Sequence, residues 1–285
     1  MDILVAGASG AIGTRLIPQL LDAGHKVIGT SRTESGARRL RETGAGAVVL
    51  DVFDKDAVEQ SVEVTAPDVI IHQLTALNGG TSHDNARIRR VGTRNLVDAA
   101  RKAGVERIVA QSIAWAYEPG STPAAESTPL DLSAPEPRSV TIGGIRTLEE
   151  AVAELPHHVV LRYGTLYGPG TWYHADGLAA EVLRGDSSAL GGLPANDGVS
   201  SFVHVEDAAR AAVEALNWPN GIVNIVDDEP APAWEWMPVL AAAVGVAAPV
   251  RTAGGARWER GATNTLARSL GWTPRWSTWR TGFRA

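Results

Sequence analysis

Gly7-Ala8-Ser9-Gly10-Ala11-Ile12-Gly13 is the stretch whose reading decides the fold. It follows the apolar run Ile3-Leu4-Val5-Ala6 and leads into the amphipathic Leu16-Ile17-Pro18-Gln19-Leu20-Leu21, so it turns a strand into a helix. Its spacing, GxxGxxG, is one residue longer in the first gap than the common dinucleotide fingerprint. Gly7 makes the tight turn, and Gly10 lets backbone N–H groups approach a pyrophosphate. Gly13 allows helix and strand to pack closely, while the helix N-terminus favours the anion. Ser9 and Ile12 complete the loop's cofactor contacts. The bland alternative is a glycine-rich turn without ligand; the agreement of strand, glycines and helix favours the dinucleotide.

Which dinucleotide is decided at the end of the next strand. An acid there would accept hydrogen bonds from the adenosine ribose and repel a 2′-phosphate. The residues are instead Gly29-Thr30-Ser31-Arg32-Thr33. Ser31 and Arg32 suit a phosphate through charge-assisted bonds, so NADP is favoured over NAD. Arg32 as a solvated first-turn arginine is the alternative.

Further along, residues 27–29, 47–50, 69–72 and 107–110 read as strands separated by segments of helical period, the pattern of a parallel sheet covered on both faces. Gly24 and Gly104 close helices, the latter one over residues 94–103. Between residues 118 and 138 Pro, Ser and Thr are dense, which predicts an irregular excursion at the rim of a cleft. A helix over 142–154 and a strand over 158–162 follow. The reading is an α/β protein with a Rossmann-type doubly wound parallel sheet. Residues 1–165 form the dinucleotide-binding core, with further core elements near 199–226, and 166–285 form most of a smaller C-terminal substrate lobe interleaved with it.

Composition narrows the partners. A net charge of −6 gives no electrostatic reason to expect nucleic acid or an anionic membrane, so the expected partner is a small-molecule substrate. Zero cysteines exclude thiolate chemistry and cysteine-ligated zinc. Strand-like residues begin directly after Met1 and the apolar run 237–250 is too short to span a bilayer, which predicts a cytoplasmic protein. His157 and His158, adjacent on a strand, point to opposite faces, and no metal is expected.

Further segments carry a family resemblance. Asp51-Val52 follows the third strand, Gly92-Thr93-Arg94-Asn95-Leu96 lies on a helix, and Ser112 to Tyr117 follows the fifth strand. Leu161-Arg162 leads to Tyr167-Gly168-Pro169-Gly170, and then come Phe202-Val203-His204-Val205-Glu206-Asp207-Ala208 and Leu270-Gly271-Trp272-Thr273-Pro274. In order and spacing the chain resembles the extended short-chain dehydrogenase/reductases, the NAD-dependent epimerase/dehydratase group. The resemblance implies that Asp51 and Val52 meet the adenine and that Leu74, Thr75, Ala76 and Tyr163 complete the cofactor site. Tyr167, Trp172, Tyr173 and His174 would shape an aromatic substrate pocket; packing of the lobe is the competing reading. It gives His204 and Asp207 a structural part, and it implies a homodimer through two helices, although Arg89, Arg90 and Arg94 make that face unusually charged.

The departures from the family are specific. It uses a Tyr and a Lys four residues later, on the helix after the proline-rich excursion. Aligning here on Glu149 puts Thr141 and Ile145 in those places, and aligning on Glu150 puts Ile142 and Arg146 there. Tyr117, Tyr163, Tyr167 and Tyr173, the four tyrosines of the chain, are followed at that spacing by Ser121, Tyr167, Thr171 and Gly177. Arg89 stands where the family has an Asn, and Ser112 is one residue early for the family's Ser/Thr. Tyr117, then Ser112, are the hydroxyls left as catalytic candidates, and Arg146 is a candidate to hold ribose or substrate. Two functions follow: an NAD(P)-dependent oxidoreductase or epimerase/dehydratase-type enzyme acting on a small carbonyl or alcohol through a non-standard proton donor, or a non-catalytic NADP-binding sensor or scaffold.

Overall fold

The computed structural model describes residues 1–76, 80–186, 190 and 192–283. In it the alternating pattern becomes the strands β1 (Asp2–Ala6), β2 (Lys26–Ser31), β3 (Gly46–Val49), β4 (Val69–His72), β5 (Arg107–Ile113), β6 (His157–Tyr163) and β10 (Gly221–Ile225). They form one seven-stranded sheet in the order β10-β6-β5-β4-β1-β2-β3. Pairing is parallel from β3 through β2, β1 and β4 to β5. The order reverses at β1, which has β2 on one side and β4 on the other. That reversal leaves a crevice at the carboxyl ends of the strands, where open α/β sheets bind ligands.

The helices between the strands are α1 (Gly13–Asp22), α2 (Glu34–Glu42), α3 (Lys55–Thr65), α4 (Ser82–Arg87), α5 (Thr93–Ala103) and α6 (Arg138–Val152). Their starts are encoded locally. Thr33 and Asp54 accept from Gly36 N and Ala57 N, and Thr81 with Asp84 makes a reciprocal capping box. The core against α3, α5 and α6 joins Leu4, Ile70, Ile108 and Val160 of the strands to Val58, Val62, Leu96, Val97, Leu148 and Val152 of the helices.

Two details depart from the sequence reading. The helix expected over 142–154 spans Arg138–Val152, because Pro137 serves as its N-cap and the polar residues after it are already helical. Between α4 and α5 the chain makes a π turn over Ile88–Gly92 that no sequence pattern announced. Between residues 118 and 137 there is no helix and no multi-residue strand, in keeping with the irregular excursion.

The chain divides into two compact units. The first comprises residues 1–112, 132–161 and 209–222, and the second 113–131, 162–208 and 223–285. Within the second unit β7 (Thr165–Tyr167) pairs with β9 (Phe202–His204), and β8 (Val199–Ser200) with β11 (Ala231–Pro232). The remaining helices are α7 (Leu178–Leu183), α8 (Val205–Glu214, which runs across the unit boundary), α9 (Ala233–Ala243), α10 (Thr265–Ser269) and α11 (Trp279–Gly282). The second unit's core is aromatic: the rings of Tyr167, Tyr173, Trp236 and Phe283 pack edge-on around Phe202. Trp272 and Trp279 are fully buried. Among the described residues no helix is long and apolar enough to cross a membrane.

Candidate active site

The glycine loop has the shape its sequence requires. Gly7 has φ +91°, and a Cβ there would stand 2.6 Å from the Gln73 carbonyl oxygen at the end of β4. A Cβ on Gly13 would stand 2.4 Å from the Gly7 carbonyl oxygen and 2.5 Å from that of Ala8. Gly10 donates its N–H to the Gly7 carbonyl at 3.1 Å, which closes the turn. Helix α1 then begins at Gly13 with no side-chain cap. The N–H groups of Thr14 and Arg15 donate to the Gly10 and Ile12 carbonyls, and the helix dipole favours an anion at this end. A strand end that side chains would fill, followed by an uncapped ten-residue helix at the reversal point of the sheet, fits a dinucleotide pyrophosphate.

The neighbouring strand ends carry the other expected contacts. Ser31 closes β2, and Arg32 is exposed just before the N-terminus of α2. Asp51 accepts from Phe53 N at 3.0 Å, and the Val52 carbonyl accepts from Asn95 Nδ2 at 2.8 Å. Leu74, Thr75 and Ala76 are half-buried after β4, with the Leu74 carbonyl accepting from Gln111 and Ala76 N–H donating to Asn85. The first unit thus gathers Gly7, Ser9, Gly10, Ile12, Gly13, Ser31, Arg32, Asp51, Val52, the 74–76 segment and Ser112, while Tyr163 belongs to the second.

Both hydroxyls singled out in the sequence are buried and already have acceptors. Ser112 at the end of β5 donates to Glu149 Oε1 at 2.8 Å, and both side chains are buried. Tyr117, in the second unit, donates to Asn224 Oδ1 and lies under the Arg162 guanidinium, 4.8 Å from its ring centre. Burial raises the Tyr117 phenol above its ordinary pKa, with Arg162 opposing. On α6, Thr141, Ile142 and Ile145 are buried, whereas Arg146 is exposed and pairs with Glu150 at 2.9 Å.

Two further groups lie near Ser112 and Glu149: Arg89, which the sequence marked as standing where the family has an Asn, and His72, which it did not single out. Arg89 turns inward from the π turn and is 9% exposed, against α6 where Gly144 leaves it room. Burial lowers its pKa to about 10, with the Glu149 carboxylate opposing the shift. His72, at the end of β4, bonds Thr93 Oγ1 through Nε2 at 2.9 Å and accepts from Leu74 N at Nδ1. Burial and then the Arg89 charge push its pKa down to about 4, so it is neutral at physiological pH.

The residues expected to line a substrate pocket separate. Tyr167 and Tyr173 belong to the aromatic core, and Tyr167 has no exposure. Trp172 and His174 are half-buried. His204 stacks on Trp276 with ring centres 3.7 Å apart, and Asp207 accepts from Trp276 N at 2.9 Å, the structural part the sequence assigned to that segment.

A doubly wound sheet with a glycine cradle at its reversal point defines a dinucleotide-binding Rossmann-type protein. Residues 3–226 match the model of the NAD dependent epimerase/dehydratase family, and the chain belongs to that family. It is 42% identical to a 3-diazoavenalumate denitrifying reductase of a Streptomyces species, over an alignment covering 99% of each protein. It is 31% identical to the 2'-dehydrokanamycin reductase of Streptomyces kanamyceticus, over 76% of this chain and 58% of that one. Among solved structures, the UDP-glucose 4-epimerase of Thermus thermophilus in complex with NAD superposes with a TM-score of 0.77 at 26% identity, covering 100% of this chain and 97% of that one. The chain is accordingly an NAD(P)-dependent enzyme of the oxidoreductase or epimerase type.

Proposed function

We propose that the chain is an NADP-dependent reductase whose hydride acceptor is the diazonium form of a diazo-bearing aromatic molecule, and that it departs from the family in doing without a Tyr-x-x-x-Lys proton donor. The observation that carries this reading is that the two candidate hydroxyls each already donate a hydrogen bond, Ser112 to Glu149 and Tyr117 to Asn224. An ionised carboxylate only accepts, so Ser112 presents lone pairs rather than a proton. A carbonyl acceptor would become an alkoxide and need an acid in the transition state. The bound dinucleotide supplies a hydride, and a diazonium plus hydride gives the C–H product and dinitrogen: the C–N bond breaks, hydrogen takes its place, and no net proton is consumed.

In this reading Gly7, Ser9, Gly10, Ile12 and Gly13 hold the pyrophosphate, and Ser31 and Arg32 the 2′-phosphate. Asp51, Val52, Leu74, Thr75, Ala76 and Tyr163 complete the cofactor contacts. Ser112 directs its lone pairs at the electron-poor nitrogen group, and Tyr117 is a positioning residue. The lobe over 166–285, with Trp172 and His174, selects the substrate. The likeness to the diazo-directed reductase across the full length supports the substrate class.

The test is to mix purified protein, NADPH and a panel of arenediazonium carboxylic acids, following loss of NADPH absorbance and release of dinitrogen. Coupled loss and release at a 1:1 ratio, with Tyr117→Phe keeping activity within about threefold, is the expected result. Reduction of aldehydes or ketones instead, abolished by Tyr117→Phe, would return the reaction to carbonyl chemistry with Tyr117 as its acid. Binding of NADPH without turnover of any acceptor would favour a sensor.

A further inference from the structure

We propose that Arg89 binds the carboxylate of the substrate, so that the preferred substrate is an organic acid. The inference deepens the reductase reading and rests on it. Arg89 sits in the π turn between α4 and α5, and such turns concentrate at functional sites because they re-aim one side chain without ending the helix. Here the re-aimed side chain is a cation turned toward the carboxyl ends of β4 and β5, where His72 and Ser112 stand. Gly144 is the reason it fits: a Cβ there would lie 3.1 Å from Ala86 Cα and 3.5 Å from Arg89 Cδ.

At 9% exposure, Arg89 carries the cost of burying most of a guanidinium, yet among the described residues none of its nitrogens is among the fully buried atoms left without a partner, so the fork is not sealed off from an entering acceptor. Five N–H donors in a rigid fork are costly to leave unmet in a low-dielectric site. The nearby groups do not meet that need. Glu149 accepts from the Ser112 hydroxyl and offsets the Arg89 charge through space, and His72 is neutral and engaged with Thr93 and Leu74. Nor do the anions of the dinucleotide. Its pyrophosphate belongs to the Gly7–Gly13 loop and its 2′-phosphate to the end of β2, which lies on the far side of β1 from β4 and β5. A planar carboxylate matches the fork bidentately and supplies a pair of acceptors in line with it.

The test reads binding rather than turnover, which separates it from the reaction assignment. Holoprotein loaded with NADP+ is titrated calorimetrically with cinnamate, with the neutral cinnamamide and with UDP. Wild type should prefer cinnamate to cinnamamide by at least tenfold. Arg89→Gln should erase that preference, and Arg89→Lys, which keeps the charge and loses the fork, should weaken cinnamate several-fold, with NADPH affinity unchanged in both. If Arg89→Gln does not fold, Arg89→Lys carries the comparison. No preference for the acid in wild type, an Arg89→Lys variant that binds cinnamate as wild type does, or a loss confined to NADPH or UDP overturns the proposal. Arg89-dependent cinnamate binding in a protein that reduces no diazo acid would leave this inference standing and remove the reaction.

Discussion

Arg32 shows how one side chain sets cofactor choice. It stands between the end of β2 and the N-terminus of α2, next to Ser31, and the acid in the first turn of α2, Glu34, is paired with Arg41 at 2.7 Å. The Thr33 hydroxyl caps α2 by accepting from Gly36 N at 3.1 Å and keeps its own O–H as a donor. Arg32 is the cation among these groups, so the charge-assisted part of the 2′-phosphate contact depends on it. Arg32→Ala should raise the Kd for NADPH by about tenfold, the size of one charge-assisted hydrogen bond at a partly exposed site, and leave NADH unchanged. Fluorescence titration with both cofactors checks this. Equal weakening of both would mean that Arg32 supports the loop rather than the phosphate, and NADH binding tighter than NADPH would reverse the assignment.

At the scale of elements, α6 carries two adjacent glycines that differ in what surrounds them. Gly144 faces Ala86 at van der Waals limits, whereas a Cβ on Gly143 would meet nothing within 4 Å. Gly143→Ala should stabilise the protein by up to ~1 kcal/mol, the helix-propensity difference. Gly144→Leu should destabilise it by about 1–3 kcal/mol through overpacking and displace Arg89. Thermal melts of the two variants should move in opposite directions; movement in the same direction would mean that α4 and α6 are not packed as described. The same helices show what the sequence could and could not reveal. The 3–6, 69–72 and 107–110 strands, the glycine loop and the Gly104 cap were legible because apolar period and glycine chemistry act within a few residues. The inward turn of Arg89 was not. A π turn admits an extra residue and so shifts the phase of every position after it. A 3.6-residue reading leaves Arg89 on a charged surface with Arg90 and Arg94, whereas in the structure it turns inward. Glu149 was used to align the helix, but its bond to Ser112 joins residues 37 positions apart and has no local signature. In the second unit, an aromatic-rich loop reads the same for a pocket as for a core, and the partners that put Tyr167 and Tyr173 in the core come from residues 202, 236 and 283.

Across the whole molecule, two buried titratable groups oppose each other in setting stability against pH, one in each unit. His72 has its pKa lowered from 6.5 to about 4. Its Nδ1 accepts from Leu74 N, so a second ring proton would displace that bond. Between these pH values the unfolded chain holds a proton that the folded chain lacks, so the His72 contribution is complete above 6.5 and lost as pH falls toward 4. Asp227 is raised from 3.8 to about 8, first by burial, with the backbone N–H groups of Glu229 and Trp279 opposing. Here the folded chain holds the extra proton, so its contribution is complete below 3.8 and lost as pH rises through 8. Each slope is about 1.4 kcal/mol per pH unit. From pH 4 to 6.5 the slopes cancel, and from 6.5 to 8 that of Asp227 acts alone. Denaturant unfolding of the wild type should therefore be nearly level in the acid window and weaken toward pH 8. Asp227→Asn should abolish the alkaline loss and uncover a decline below pH 6.5, and His72→Gln should instead make stability fall continuously from pH 4 upward. An alkaline loss that survives Asp227→Asn would show that some other group carries it, and a wild type that weakens steeply between pH 6.5 and 4 would show that Asp227 does not offset His72.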